Sequence, residues 1–176
     1  MQRKHILYLV LLSVLATTAV VILFLRTPLL GNLENLFIPY DSSKNPVNLD
    51  FKYGFAGRNE LNTFNGTFTK DLIIDGTITT RLTLSKEELT LIQQKLSDVG
   101  FWDYPETFPS TGCVTPRADY YIKVVNASTV KEVSWYSDSV SDTRTANLQQ
   151  LYSFINDMIM EKLEYKLLPP ASGGYC

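Results

Sequence analysis

The stretch that most limits the fold runs from Asp75 to Pro105, DGTITTRLTLSKEELTLIQQKLSDVGFWDYP, because it prescribes a turn, a strand, a capped helix and a stop without a gap. Asp75-Gly76 is a tight-turn pair, Gly accepting the positive φ that hairpins demand. It separates the apolar Leu72, Ile73 and Ile74 from an alternating run, so a β-hairpin is expected. In TITTRLTL, Ile78, Leu82 and Leu84 share one face and Thr77, Thr79, Arg81 and Thr83 the other, the period-2 pattern of a half-buried strand. Ser85-Lys86-Glu87-Glu88 is a capping box: the Ser hydroxyl accepts from a first-turn amide, and the Glu three residues on reaches back to the cap amide. Leu89, Ile92, Leu96 and Val99 then recur at helical spacing, with Gln93, Gln94, Lys95 and Asp98 outside. Gly100 supplies a left-handed cap, and Phe101, Trp102, Tyr104 and Pro105 stop the helix.

The flanks extend this unit. Leu49, Phe51, Tyr53 and Phe55 alternate with Asp50, Lys52, Gly54 and Ala56, a first strand with an aromatic face. Phe64–Ile74 reads as a second strand, bent at Asn65-Gly66. Phe108–Arg117 is a loop by its Pro, Gly, Ser and Thr content. Asp119–Val125 and Val130–Trp135 form another hairpin around Asn126-Ala127-Ser128-Thr129. After a polar loop, Ser137–Thr143, the stripe Leu148, Leu151, Tyr152, Ile155, Ile159 and Leu163 predicts a helix over Thr145–Leu163, and LLPPASGGYC reads as coil. The expected class is α+β: an antiparallel sheet of four to five strands, in ββαββα order, with two helices on one face. Such a sheet leaves its other face uncovered, and residues such as Tyr53, Tyr121 or Thr79 are expected to look out from it.

Upstream, Ile6–Leu25 is an uncharged run of about the twenty residues a helix needs to cross a bilayer. Ala16 and Ala19 lie inside the run and VVILFL continues past them, so a transmembrane signal-anchor is expected over a cleaved signal peptide. Arg3 and Lys4 precede the run and only Arg26 follows, which places the N-terminus in the cytoplasm and the rest outside it. The division is then 1–26 for stub and anchor, 27–48 for a tether and 49–176 for one extracytoplasmic domain, with secretion after cleavage as the alternative.

The single histidine, His5, falls in the stub. The exported part therefore lacks the histidine of Ser-His-Asp and Cys-His nucleophilic sites and of His-ligated zinc or iron, and no cofactor or metal is expected. No Gly-rich loop joins a strand to a helix, so a phosphate site has no support. Beyond Arg26 there are thirteen Lys and Arg against eighteen Asp and Glu, without a basic cluster, so nucleic acid is not an expected partner.

Several features carry candidate functions beside plainer readings. Trp102, Tyr104, Tyr121 and Tyr136 are the candidate binding aromatics, although large aromatics such as Phe101 and Trp135 chiefly build small cores. Cys113 and Cys176 are expected to form a disulfide tying the tail to the long loop, with two unpaired thiols as the alternative. Asn65-Gly66-Thr67 and Asn126-Ala127-Ser128 match the glycosylation pattern at turns, a pattern short enough to arise by chance. Asp103 with Glu106, and the acids and hydroxyls of Asp138–Asp142, read as solvated loop groups or, in the first pair, as the carboxylates of a polymer hydrolase.

Glu60–Phe64, Gly66–Asp71, LSKEEL (Leu84–Leu89), GFWDYPETF (Gly100–Phe108) and YKLLPPASGGY, in that order, resemble a group of small exported or membrane-anchored bacterial and archaeal α+β proteins of uncharacterised function. The resemblance covers most of Asp50–Tyr175 and implies no activity and no site residues. The order of hairpin, LSxEE-type capped helix, Gly-Phe-aromatic stop, second hairpin and final helix also resembles emfourin-type metalloprotease inhibitors in architecture. No inhibitory motif maps onto this chain. The functional expectation is a non-enzymatic, membrane-anchored module that binds a protein or the cell-envelope matrix; inhibition of an exported protease and a carboxylate-based hydrolase are the alternatives.

Overall fold

The computed structural model describes residues 44–112 and 116–175. The apolar run Ile6–Leu25, the tether as far as Ser43, and both cysteines, Cys113 and Cys176, lie outside the described residues. Among the described residues no helix is long and apolar enough to cross a membrane.

One antiparallel sheet organises the domain. Its strands are β1 (Asn48–Tyr53), β2 (Asn59–Asn62), β3 (Thr67–Ile73), β4 (Gly76–Arg81), β5 (Asp119–Asn126) and β6 (Thr129–Tyr136), in the spatial order β4-β3-β2-β1-β5-β6. The first four form a meander. Helix α1 (Lys86–Asp98) then carries the chain from edge strand β4 back to β5, which pairs with β1. Helix α2 (Thr143–Glu161) and a single turn, α3 (Leu163–Lys166), follow β6.

The class is the expected α+β, but the sheet has six strands where four to five were expected. The addition is β2, Asn-Glu-Leu-Asn, too short and too polar to show a period. The Asn62 side chain accepts from the amides of Phe64 and Asn65, both at 3.1 Å, so the chain reverses there instead of bending. A second difference is that α2 stops at Glu161, because Lys162 is extended (ψ 138°), and α3 starts afresh.

Register decides what each face holds. Phe51 lies opposite Leu61 on β2 and Ile122 on β5, Leu61 opposite Phe68, and Ile122 opposite Val133, so one apolar row crosses five strands. Leu89, Ile92 and Leu96 of α1 and Leu148, Leu151, Ile155 and Ile159 of α2 close over that row, all of them fully buried. Each such side chain contributes about 1.5–3 kcal/mol relative to exposure. Both helices start at built caps. Ser85 and Glu88 form the expected capping box, and Asp142 accepts from the Thr145 amide while the Thr145 hydroxyl answers to the cap amide. Tyr53 belongs to this inner face, not to the open one: its parity is that of Phe51, it is 6% exposed, and it stacks on Phe51 at 5.2 Å.

Candidate binding cleft on the open sheet face

The opposite face carries the other parity of every strand and, among the described residues, no helix. Across it run Asn62, Asp50, Lys123 and Glu132 in one row and Thr79, Thr69, Glu60, Lys52, Tyr121 and Ser134 in the next, each paired with its neighbour in register. Opposite charges meet directly: Lys123 lies 3.1 Å from Glu132, and Lys52 3.7 Å from Asp50. Thr69 and Thr79 share a 2.8 Å hydroxyl bond. The cross-strand pairs, Lys123–Glu132 and Thr69–Thr79, stabilise a wet face by a few tenths of a kcal/mol to about 1 kcal/mol each, while Lys52 and Asp50 meet along one strand.

Where β1 ends and β5 begins, this face is hollowed. The turn from Gly54 to Arg58 lifts the chain away, closed by bonds from the Gly57 amide to the Gly54 carbonyl (3.1 Å) and from the Arg58 amide to the Phe55 carbonyl (3.2 Å). Gly54 is required there: its φ is +90°, and a Cβ would sit 2.8 Å from the Asn59 amide nitrogen. Beneath the turn a cleft of about 210 Å³ is lined by Lys52, Gly57, Asp119, Tyr121, Ser134 and Tyr136 among others.

Cations stand over both tyrosines of the cleft. The Arg117 guanidinium lies 4.2 Å from the centre of the Tyr136 ring and 3.1 Å from Asp119, and Lys52 lies 5.9 Å from the centre of Tyr121. Burial, with the hydrogen bond to Glu132 and the charges of Glu132 and Asp50, pushes the Tyr121 hydroxyl up to about 12. Bonds from Lys123 and Tyr121 hold Glu132 below its ordinary value. Burial raises Asp50, Lys52 opposes that rise and Glu60 adds to it. The chemistry on offer is therefore recognition: two phenol rings with cations beside them, a hydroxyl and a carboxylate, on a rigid sheet. A larger hollow of about 510 Å³ lies between α1 and α2, but Gln149, Gln150, Ser153 and Lys95 line it, and it lacks such convergence.

The four aromatics singled out from the sequence divide between the two sides. Tyr121 and Tyr136 line the cleft. Tyr104 is 6% exposed, donates its hydroxyl to the Val99 carbonyl at 2.5 Å and accepts from Asn147, which makes it a seal at the end of α1. Trp102 is half-buried against the same core, edge-on to Phe101 at 5.8 Å. Asp103 and Glu106 are both exposed and neither lines the cleft; Glu106 offers its backbone carbonyl to the Ser134 amide. Asn65 is exposed in the turn before β3, and Asn126 is half-buried at the end of β5.

Two residues escaped the sequence reading. Asp138, expected as a solvated loop acid, is 9% exposed and takes bonds from Ser110, Thr111 and the Gly112 amide at 2.7, 3.2 and 3.0 Å. It pins the long loop beside β6, and the Ser110 bond leads the causes that lower its carboxyl. Lys52 escaped because a lone Lys on a strand carries no motif; its cue is its position, directly across from Tyr121. Compared with models of protein families and with curated proteins, the chain matches none.

Proposed function

We propose that this chain is a non-enzymatic, single-pass membrane protein whose α+β domain binds a protein partner outside the cytoplasm through the open sheet face. The observation that carries the reading is the cleft at the β1–β5 end, where Tyr121 and Tyr136 lie beside Lys52, Arg117 and Asp119 on a face that no helix among the described residues covers. Aromatics next to Arg on a rigid, half-polar surface are the make-up of interaction sites, and the mixed charges favour a polypeptide of both signs over an anionic polymer. The run Ile6–Leu25 supports the anchor, and the flanking charges support the orientation. The uncharacterised exported proteins that the chain resembles fit the same description.

The test is site-specific photo-crosslinking of the anchored protein in cells, with the photoreactive residue at Tyr121 or Tyr136 on the open face, or at Gln150 on α2. One and the same protein captured from both tyrosine positions, and not from Gln150, is the expected result. Capture from Gln150 alone, or of cell-envelope polymer instead of protein, overturns it.

A further inference from the structure

The tail of the domain binds the domain as a peptide ligand would. After α3 the chain passes Lys70, whose ammonium bonds the Pro169 carbonyl at 2.9 Å, and rounds the end of β3. Ser172 then adds a one-residue parallel bridge: its amide bonds the Leu72 carbonyl (3.2 Å), and its carbonyl takes the Ile74 amide (3.4 Å). Its hydroxyl reaches Asp75 at 2.9 Å. Gly173 has φ +84° and passes so close to Ile74 that a Cβ would stand 2.6 Å from its Cδ1. Three residues past the bridge, the Tyr175 ring stacks on Phe55 with centres 3.8 Å apart. The Tyr175 phenol donates to Asp71 Oδ2 at 2.5 Å and accepts from Arg58 Nη1 at 2.8 Å. Main-chain pairing at a sheet end plus one side chain in a fitted recess is how extended peptides are recognised.

Socket and occupant are held very differently. Asp71 is 7% exposed, fixed by the Ile73 amide on Oδ1 (3.0 Å) and by Arg58 at 3.6 Å, while its own amide bonds Asn59. Phe55 is tied to Ala118 by a backbone bridge, and Arg58 closes the turn after β1. The tail from Pro169 to Gly174, by contrast, is exposed at every residue, and only Tyr175 is half-buried. Where no disulfide holds the tail, a rigid recess filled by a solvated strap opens at low free-energy cost, because releasing the strap uncovers one ring and breaks a handful of bonds.

We propose that Phe55, Arg58 and Asp71 form a socket for an unmodified tyrosine on an extended polypeptide, filled in this structure by the chain's own Tyr175 and open to a tyrosine-bearing segment of a partner protein. The inference stands on the tail's own seat and not on the Tyr121–Tyr136 cleft. The chemistry sets the selectivity. Phenylalanine keeps the stack but leaves a buried Asp71 oxygen and an Arg58 donor unmatched, and phosphotyrosine drives a dianion against Asp71. The cis tail competes at the high effective concentration of a short linker, so free peptide binds the intact chain poorly.

The test uses the full chain in detergent micelles under reducing conditions, so that a Cys113–Cys176 bond cannot hold the tail. The peptide acetyl-PPASGGYS-amide is titrated to millimolar concentration while the amide NMR signals of Arg58 and Ile73 are followed. Tyr175→Ala is expected to give saturable shifts with an affinity about ten-fold or more above that of the wild type, and peptides carrying Phe or phosphotyrosine are expected to bind about ten-fold or more weaker. Dispersed signals from Phe51 and Ile122 certify folding; should Tyr175→Ala fail that check, Tyr175→Phe, which keeps the stack, takes its place under the same criteria. Equal binding of the Tyr and Phe peptides, equal binding by variant and wild type, or no shifts in a folded variant overturns the socket.

Discussion

On the inner face of the sheet the rings of Phe51, Trp135 and Tyr120 stack in that order, 6.5 Å and 5.1 Å between centres, and Tyr152 of α2 meets Tyr120 edge-on. On the outer face Tyr121 and Tyr136, the immediate sequence neighbours of Tyr120 and Trp135, lie open beside Lys52 and Arg117. Tyr120 and Trp135 share their two strands with Tyr121 and Tyr136, and all four are aromatic; the parity of the position sends each pair to its face. Strand parity thus divides one aromatic-rich hairpin between the core and the open face. Aromatic content alone says nothing of binding until the register is known.

The comparison breaks most visibly on truncation. Phe51→Ala removes a ring with no solvent exposure from the centre of the inner row and is expected to cost about 3–5 kcal/mol, read as a shift of the urea midpoint at constant slope. Tyr121→Ala, on the other face, is expected to stay within about 1 kcal/mol of the wild type while capture of the partner is lost. If the two substitutions destabilise alike, the faces do not differ in kind and the cleft is merely structural.

How far the sequence disclosed this arrangement follows from where local pattern and tertiary register coincide. The capping box at Ser85, the α1 stripe, the stop at Gly100 and the second hairpin are local devices, and all appear where the residues put them. Strand β2 was hidden because four polar-flanked residues hold no period, and their pairing with β3 depends on an Asn62 turn visible only in three dimensions. Of the candidate site, Tyr121 and Tyr136 were legible as aromatics. Trp102 and Tyr104 looked equivalent to them, and only the packing of Phe101 and Tyr104 beneath the helices tells them apart. The tail read as coil because its order comes from partners about a hundred residues earlier in the chain, Asp71 and Arg58.

The tail sharpens the contrast through the cysteines. Tyr175 stacks on Phe55, and Phe55 bridges Ala118, so the residue before Cys176 is seated near the strand that follows the Cys113 loop. No thiol is expected to react in the unreduced, unfolded chain and two after reduction, counted with a thiol reagent. Two reactive thiols without reduction would leave the contacts of Pro169, Ser172 and Tyr175 as the tail's attachment.

A smaller effect separates the faces at alkaline pH. Tyr121 ionises near 10 when unfolded and near 12 when folded, so below about 10 both states hold the proton and the fold keeps its full stability. Between 10 and 12 the unfolded chain releases it first, and stability falls with rising pH. Tyr121→Phe is expected to make that fall shallower in thermal melts from pH 9 to 12. It does not abolish it, because burial also raises Tyr53, Tyr120 and Tyr152 on the helix-covered side.

The smallest expected effect is the most specific to the open face. Burial raises the Asp50 carboxyl above its ordinary value, Lys52 only partly offsetting burial and Glu60, and Asp50 Oδ1 is buried without a hydrogen-bond partner among the described residues. The unfolded chain therefore ionises Asp50 at a lower pH than the folded chain does. Stability from this group is complete below the unfolded value and is lost as pH rises through the folded one. Asp50→Asn removes the loss and is expected to raise Tm at pH 7 by about 1–3 °C, with no gain near pH 3. A fall in Tm at pH 7 would mean that the Lys52 attraction outweighs burial. The open face would then be held by its charge ladder, and a partner would have to match that ladder, not displace it.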